Sequence, residues 1–294
     1  MRAVAREGGI RVSEIVYLNG DFIPEEQALV SVEDRGMLFA DGVYEVARAY
    51  GGRFFLLDQH LERMQESARL VRLPLPSAAE LRAAMQGVLQ RNRMADASVY
   101  LSVTRGHAGP RSHVLPTEAH PTVFAAARPT PVPDPRSIQE GAAAISVPDR
   151  RWHMCHVKSI GLLLNTLAKQ AAVEAGAQEA LFVRDGVLTE GSATNAFVVL
   201  NGQIWTHPSG PHILSGITRD VLIEICQRDG IPLRQEGVLL SQLYAAQEVF
   251  VSGTNTEVLP IVRVDGRTIG EGRPGAVARR LLDALHRYVA TSIQ

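Results

Sequence analysis

Lysine is nearly missing from this 294-residue chain: of its 30 Lys and Arg residues only Lys158 and Lys169 are lysine. Cysteine is as scarce. Cys155 and Cys226 stand in no metal-ligand spacing, so no metal site is expected, a disulfide framework is excluded, and a reducing, cytoplasmic compartment is indicated. No stretch approaches the roughly 18 consecutive apolar residues that a membrane span needs. The first residues, MRAVAREGGIRV, lack the apolar core of a signal peptide, and residues 1–12 read as a frayed extension. Excess charge is missing too. Thirty basic residues against 31 acidic ones create no global field for nucleic acid or an anionic membrane, so a small-molecule partner fits better.

What is present is an ordinary globular composition, 46% apolar and 21% charged, over a length that suits about two domains. Arg128 to Pro135 (RPTPVPDP) carries proline at alternate positions, which forbids helix and favours an extended tether. The boundary is placed there: residues 1–128 form a small N-terminal domain, 129–136 a linker, and 137–294 a larger C-terminal domain. In the first, Asn19-Gly20 turns a hairpin between Val16 and Ile23, and Gly51-Gly52 separates strands predicted at 42–50 and 53–57. Asp58 to Leu70 has the apolar spacing of a helix with an acidic start, and a second helix is predicted from Pro76-Ser77 to Arg91. Strands at 98–104 and 122–127 complete an α+β unit. Beyond the linker, strands at 142–147, 179–183, 196–200, 203–206 and 249–251 are interleaved with helices at 162–175, 216–228 and 275–290. Asp185-Gly186 and Asn201-Gly202 turns point to a mixed or antiparallel sheet.

Among such residues a surviving lysine stands out, because only a primary amine can be deprotonated near neutral pH and form a Schiff base. An arginine-biased genome would leave stray lysines as well, so the neighbours must decide. Lys158 is predicted to project from a strand end, just before the apolar run Ile160 to Leu164, into a sheet–helix crevice that lowers its pKa by desolvation. Lys169 falls on a solvated helix face. Glu190 is the single carboxylate of the polar stretch Leu188 to Phe197, predicted to lie between two strands, and a cationic ring nitrogen would suit it if it is buried. Gly216-Ile217-Thr218 offers free N–H groups and a hydroxyl at a helix start, and Ser252-Gly253-Thr254 a second set of small donors after a strand.

Six ordered segments, DRGMLFADGVYEV, HLERM, HVKSIGLLLN, LTEGSATNAF, LSGITRD and VSGTNTEVLP, resemble the fold-type IV pyridoxal-phosphate-dependent aminotransferases over about Ile15 to Val289. The resemblance implies a two-domain α+β fold with a mixed, barrel-like sheet in the larger domain, and pyridoxal 5′-phosphate as cofactor. It makes Lys158 the catalytic Schiff-base lysine and Glu190 the partner of the pyridine nitrogen. It assigns Arg63, Ile217, Thr218 and Thr254 to the phosphate, with the Gly253 N–H replacing a serine hydroxyl, and packs Leu214 on the ring. Arg111-Ser112-His113 is similar to the loop of D-amino acid aminotransferases whose arginine and histidine enter the neighbouring subunit's site and, with a tyrosine (here Tyr44), hold the substrate carboxylate. That loop is one residue longer here. Without the family, Arg-Ser-His in a Gly/Pro-rich loop reads as a surface turn.

The implied activity is transamination between a D-amino acid and a 2-oxo acid by a homodimer. Branched-chain L-amino acid aminotransferase, (R)-amine transaminase and aminodeoxychorismate lyase activities are the alternatives within the family; outside it stands a non-catalytic phosphate-ligand binder.

Overall fold

Alternation of apolar residues in Gly42 to Tyr50 sets Val43, Ala47 and Ala49 on one face of a strand, all fully buried. In the computed structural model, which describes residues 14–107, 109–130 and 134–293, that strand is one of six in the first sheet. These are β1 (Ile15–Leu18), β2 (Asp21–Pro24), β3 (Gly42–Tyr50), β4 (Arg53–Phe54), β5 (Ala97–Thr104) and β6 (Thr122–Pro129), in the spatial order β2-β1-β6-β5-β3-β4. A short helix, α1 (Arg35–Phe39), precedes β3, while α2 (Leu57–Leu70) and α3 (Ala78–Arg91) follow β4. Leu81, Ala84, Met85 and Val88 of α3 repeat at helical spacing and pack with Leu61 and Met64 of α2 on the sheet's inner face. Ser77 and Glu80 close a capping box at the start of α3, a cap worth about 1 kcal/mol.

After α4 (Pro135–Gln139) comes the second, ten-stranded sheet. Its strands are β7 (Ala142–Pro148), β8 (Glu179–Arg184), β9 (Val187–Gly191), β10 (Asn195–Leu200), β11 (Gln203–Thr206), β12 (Leu233–Gln235), β13 (Val238–Leu239), β14 (Glu248–Gly253), β15 (Glu257–Val264) and β16 (Arg267–Thr268). The order is β12-β11-β10-β14-β15-β7-β8-β9-β13, with β16 on β15. It is mixed, as expected: β7 runs parallel to β8 and β15, whereas the DG and NG turns close antiparallel pairs. Helices α6 (Ile217–Arg228) and α8 (Ala276–Ser292) cover Phe197 and Phe250, whose rings stack at 5.0 Å; α5 (Leu163–Glu174) and α7 (Leu240–Tyr244) complete the unit. No helix among the described residues is long and apolar enough to cross a membrane.

Four local expectations need correction. The strand predicted at 53–57 stops at Phe54, because Leu56 takes a left-handed conformation (φ 50°) and the helix begins at Leu57. Asp58 therefore lies inside the first turn and pairs with Arg82 rather than capping the helix. The proline-rich segment is partly strand, since β6 continues through Pro129, and Asp134 caps α4; residues 131–133 lie outside the described residues, as do residues 1–13 and the fraying expected there. Leu188 to Phe197 is not a loop between strands either. Glu190 sits within β9, and only residues 192–194 turn.

Candidate active site

Lys158 does not project from a strand end. Nine residues of irregular chain separate it from β7, and backbone pairing with β3 holds it: Tyr44 N–H donates to the Lys158 carbonyl and Ile160 N–H to that of Gly42, both at about 3 Å. Glycine is required at 42, where a Cβ would sit 2.8 Å from the Val103 carbonyl and 2.9 Å from Ile160. The Lys158 Nζ lies 4.4 Å from the centre of the Tyr44 ring and makes no ion pair among the described residues. Desolvation, with Arg63 nearby, pushes its pKa down to about 8. The same burial, with Glu45 adding, pushes the Tyr44 phenol up to about 12.

Glu190 is 5% exposed and accepts three hydrogen bonds. Arg151 Nη1 reaches Oε1 at 2.6 Å, while Asn195 Nδ2 and the Leu214 N–H reach Oε2 at 3.1 and 3.0 Å. Burial raises its pKa to about 7, and the Arg151 guanidinium pulls the other way. A second carboxylate, Asp149, holds Arg151 through its Nε and Nη2 at 2.9 and 3.0 Å, and Arg184 through its Nε at 3.3 Å. The result is a buried acid–base chain in which Glu190 has one cationic partner and Oε1 accepts a single hydrogen bond, leaving it acceptor capacity for a second.

A third group gathers at the start of α6. Ile217, Thr218 and Thr254 line one small cavity together with His60. Gly216 precedes the helix in extended conformation, and a Cβ there would meet Asn195 Oδ1 at 2.1 Å, so the helix start and the Glu190 cluster are packed as one piece. The first N–H groups of the helix have no intrahelical partner. Ser252 pairs across the sheet with Asn195, on the same face, and its fully buried hydroxyl has no hydrogen-bond partner among the described residues. Arg63 donates 2.9 Å to the Ser215 carbonyl and grips Glu45 through Nε and Nη2 at 2.7 and 2.8 Å. Glu45, fully buried and also bonded to His60, is held well below the usual carboxylate range by these partners against the cost of burial. At Gly253 a side chain would make only ordinary contacts, the nearest atom being the Ala193 carbonyl oxygen at 3.5 Å, so steric need does not explain that glycine.

The chain thus brings together Tyr44, Arg63, Lys158, Glu190, Leu214, Ile217, Thr218 and Thr254. It does not bring Arg111 and His113 to them. Both lie on the loop after β5, where they touch Phe39 of α1 and make no hydrogen bond or ion pair among the described residues. Lys169, exposed on α5, donates to the Gln178 carbonyl. Sequence reasoning missed Arg151, Asp149, Glu45 and His60. The last two sat inside the quoted motifs, and an Asp-Arg-Arg run seven residues before the lysine was a signal of the first pair.

Residues 42–264 match the family described as amino-transferase class IV. The chain is 39% identical over 275 residues to the D-alanine aminotransferase of Bacillus licheniformis, covering 93% of this chain and 96% of that one. It is 40% identical over 276 residues to the D-alanine aminotransferase of Staphylococcus haemolyticus, covering 93% and 97%. Among solved structures, the branched-chain amino acid aminotransferase of Escherichia coli superposes with a TM-score of 0.89 at 28% identity, covering 96% of each chain. The branched-chain amino acid aminotransferase of Thermoproteus uzoniensis, solved with norvaline, gives 0.87 at 30%, covering 95% of this chain and 96% of that one.

Proposed function

Since the chain belongs to the class IV aminotransferase family, we propose that it transfers the amino group of a D-amino acid such as D-alanine to a 2-oxo acid, pyruvate or 2-oxoglutarate, with pyridoxal 5′-phosphate as cofactor. The observation that carries this is the convergence of a desolvated Lys158 amine with a buried, arginine-backed Glu190 beside the open start of α6. Each fits one part of that cofactor: the amine its aldehyde, the carboxylate a protonated ring nitrogen, and the helix-start N–H groups with Thr218, Thr254 and Arg63 its phosphate. The orphaned Ser252 hydroxyl on the same face is a polar group awaiting a partner.

When bound, pyridoxal phosphate supplies an aldehyde that condenses with amines and a ring that withdraws electrons from the carbon next to the nitrogen. The protein does the rest. Lys158 would hold the cofactor covalently until substrate displaces its amine. The freed Nζ, already tuned toward neutrality, takes the α-proton and carries it. Glu190, kept in place by Arg151, Asn195 and the Leu214 N–H, stabilises positive charge on the ring nitrogen, and Leu214 packs on the ring. Gly253 leaves only its N–H for the phosphate. Two half-reactions then alternate on one site in a ping-pong cycle.

Tyr44 with Arg111 and His113 would bind the substrate carboxylate. Since neither Arg111 nor His113 makes a hydrogen bond, ion pair or ring contact with Lys158 or Tyr44 among the described residues, the trap would be completed in a homodimer, each subunit lending its loop to the other. Residues 1–128 and 137–294 act as small and large domains joined by 129–136, and the enzyme works in the cytoplasm, in keeping with two buried, unpaired cysteines. The test is the visible spectrum of the cofactor-loaded protein with D-alanine in one cuvette and L-leucine in another. Conversion of the cofactor by D-alanine alone is expected. Conversion by L-leucine alone would move the activity to the branched-chain class and overturn the carboxylate trap.

A further inference from the structure

Phe39, the last residue of α1, holds more of the loop after β5 than any catalytic assignment explains. The Arg111 guanidinium carbon lies 4.8 Å from the centre of its ring, and the His113 ring centre lies 5.3 Å away, tilted by 51°. The residue between them is tied as well. Buried Arg35, itself 4.7 Å from the same ring, donates 2.6 Å from Nη1 to the Ser112 carbonyl while Asp41 accepts from its Nε at 2.8 Å. Arg111, Ser112 and His113 are therefore all fixed from α1, two of them through one aromatic ring.

The chemistry of these contacts matters. A cation held on an aromatic face is attracted by the ring's quadrupole, and a guanidinium engaged in this way keeps its N–H fork for a carboxylate. The long Arg111 side chain, which would otherwise sample many rotamers, and the His113 ring are restrained without spending a hydrogen-bond donor. A polar anchor would instead compete with the substrate.

Building on the carboxylate-trap assignment above, we propose that Phe39 is the positioning residue of that trap, presenting Arg111 and His113 to the substrate carboxylate while touching neither substrate nor cofactor itself. It sets affinity for the carboxylate and leaves the proton-transfer machinery around Lys158 untouched.

The experiment compares Phe39→Leu, Phe39→Met and Phe39→Tyr with the double variant Arg111→Gln/His113→Gln, all as holoenzymes. Two quantities are read: KM and kcat for D-alanine, and the dissociation constant of propionate, a carboxylate without an amine, from its perturbation of the cofactor's visible spectrum. Loss of the ring is expected to raise both KM and the propionate constant roughly three- to tenfold, with kcat nearly unchanged and Phe39→Tyr restoring both. If the double variant weakens propionate but neither Phe39→Leu nor Phe39→Met does, the positioning role is wrong and the trap stands. A fall in kcat with unchanged propionate affinity equally refutes it. If the double variant leaves propionate binding and KM unaltered, the trap assignment fails and takes the positioning role with it. Should Phe39→Leu not fold, Phe39→Met, which keeps the bulk without the π-face, decides alone.

Discussion

The surroundings of Lys158 strip its amine of water and lower its pKa, and two outcomes follow at the scale of single residues. Substituting Lys158→Ala should cut turnover with D-alanine by about 10²–10⁴-fold or more, since a positioned proton carrier alone is worth that much, while the far-ultraviolet spectrum stays native. A variant with most of its activity intact would remove Lys158 from the mechanism. The second outcome concerns pH. The Lys158 pKa is depressed to about 8 from the ordinary lysine value of 10.5, so between those values the unfolded chain binds more protons than the folded one. Stability of the apoprotein should therefore gain from Lys158 as pH rises through that window, a gain absent in Lys158→Met. With only one other lysine in the chain, an amine-reactive reagent read by mass spectrometry can follow the residue directly. Half-maximal labelling near pH 8 is expected, and a midpoint near the ordinary lysine value would contradict desolvation. Arg151 governs the opposite charge. Removing it as Arg151→Met leaves Glu190 buried without its cation, and breaking a buried pair this way costs about 3–5 kcal/mol. The Glu190 pKa, already near 7, should climb further, moving the acidic limb of the kcat/KM profile to higher pH, with Arg151→Lys intermediate. An unchanged limb would separate Glu190 from the reaction.

At the scale of elements, legibility followed local chemistry. Gly-containing turns and apolar spacing placed β1, β2, β10, β11, α3 and α8 to within a few residues, because each is specified by its own side chains. Elements whose formation depends on distant partners were not visible: α1 rests on Asp34, which caps it while also accepting from Thr104 and Thr122, and β15 exists through β14 and β7. The Lys158 segment belongs to this class too, being irregular chain fixed by distant partners: β3 pairs with it and the Lys158 N–H donates to the Ser67 hydroxyl of α2. Of the residues the fold gathers around Lys158, those in contiguous motifs were legible. Arg151 was not, because its importance comes from lying opposite Glu190 across a fold. The glycines at 216 and 253 make a contrasting pair. Gly216→Ala drives a Cβ into Asn195 and so disturbs Glu190 and the start of α6 together; cofactor affinity should fall tenfold or more, about 1.4 kcal/mol. Gly253→Ser meets only ordinary contacts and adds a hydroxyl near the expected phosphate, so binding should tighten while the melting temperature stays put. Equal behaviour of the two variants in a fluorescence titration with pyridoxal phosphate would dissociate α6 from the phosphate site.

The whole molecule carries surfaces that one chain leaves uncovered. Leu163 and Leu167 on α5 are 71% and 56% exposed, and Leu29, Val32, Met37 and Val114 are each more than 70% exposed. Scattered apolar residues need no explanation, but several on α5 and around α1, beside the Arg111 loop, suit a subunit contact. If each loop completes the other subunit's site, two inactive variants should rescue one another. A Lys158→Ala subunit retains an intact loop, and an Arg111→Gln/His113→Gln subunit retains its lysine. In a mixed dimer the first lends its loop to the second and rebuilds one working site of the two. Unfolding and refolding an equimolar mixture produces mixed dimers as about half of the population, so roughly a quarter of wild-type activity at low D-alanine is expected from random pairing. If the trap instead closes within its own chain, no mixed dimer contains a site with both lysine and trap. The mixture then does no better than the average of its parents.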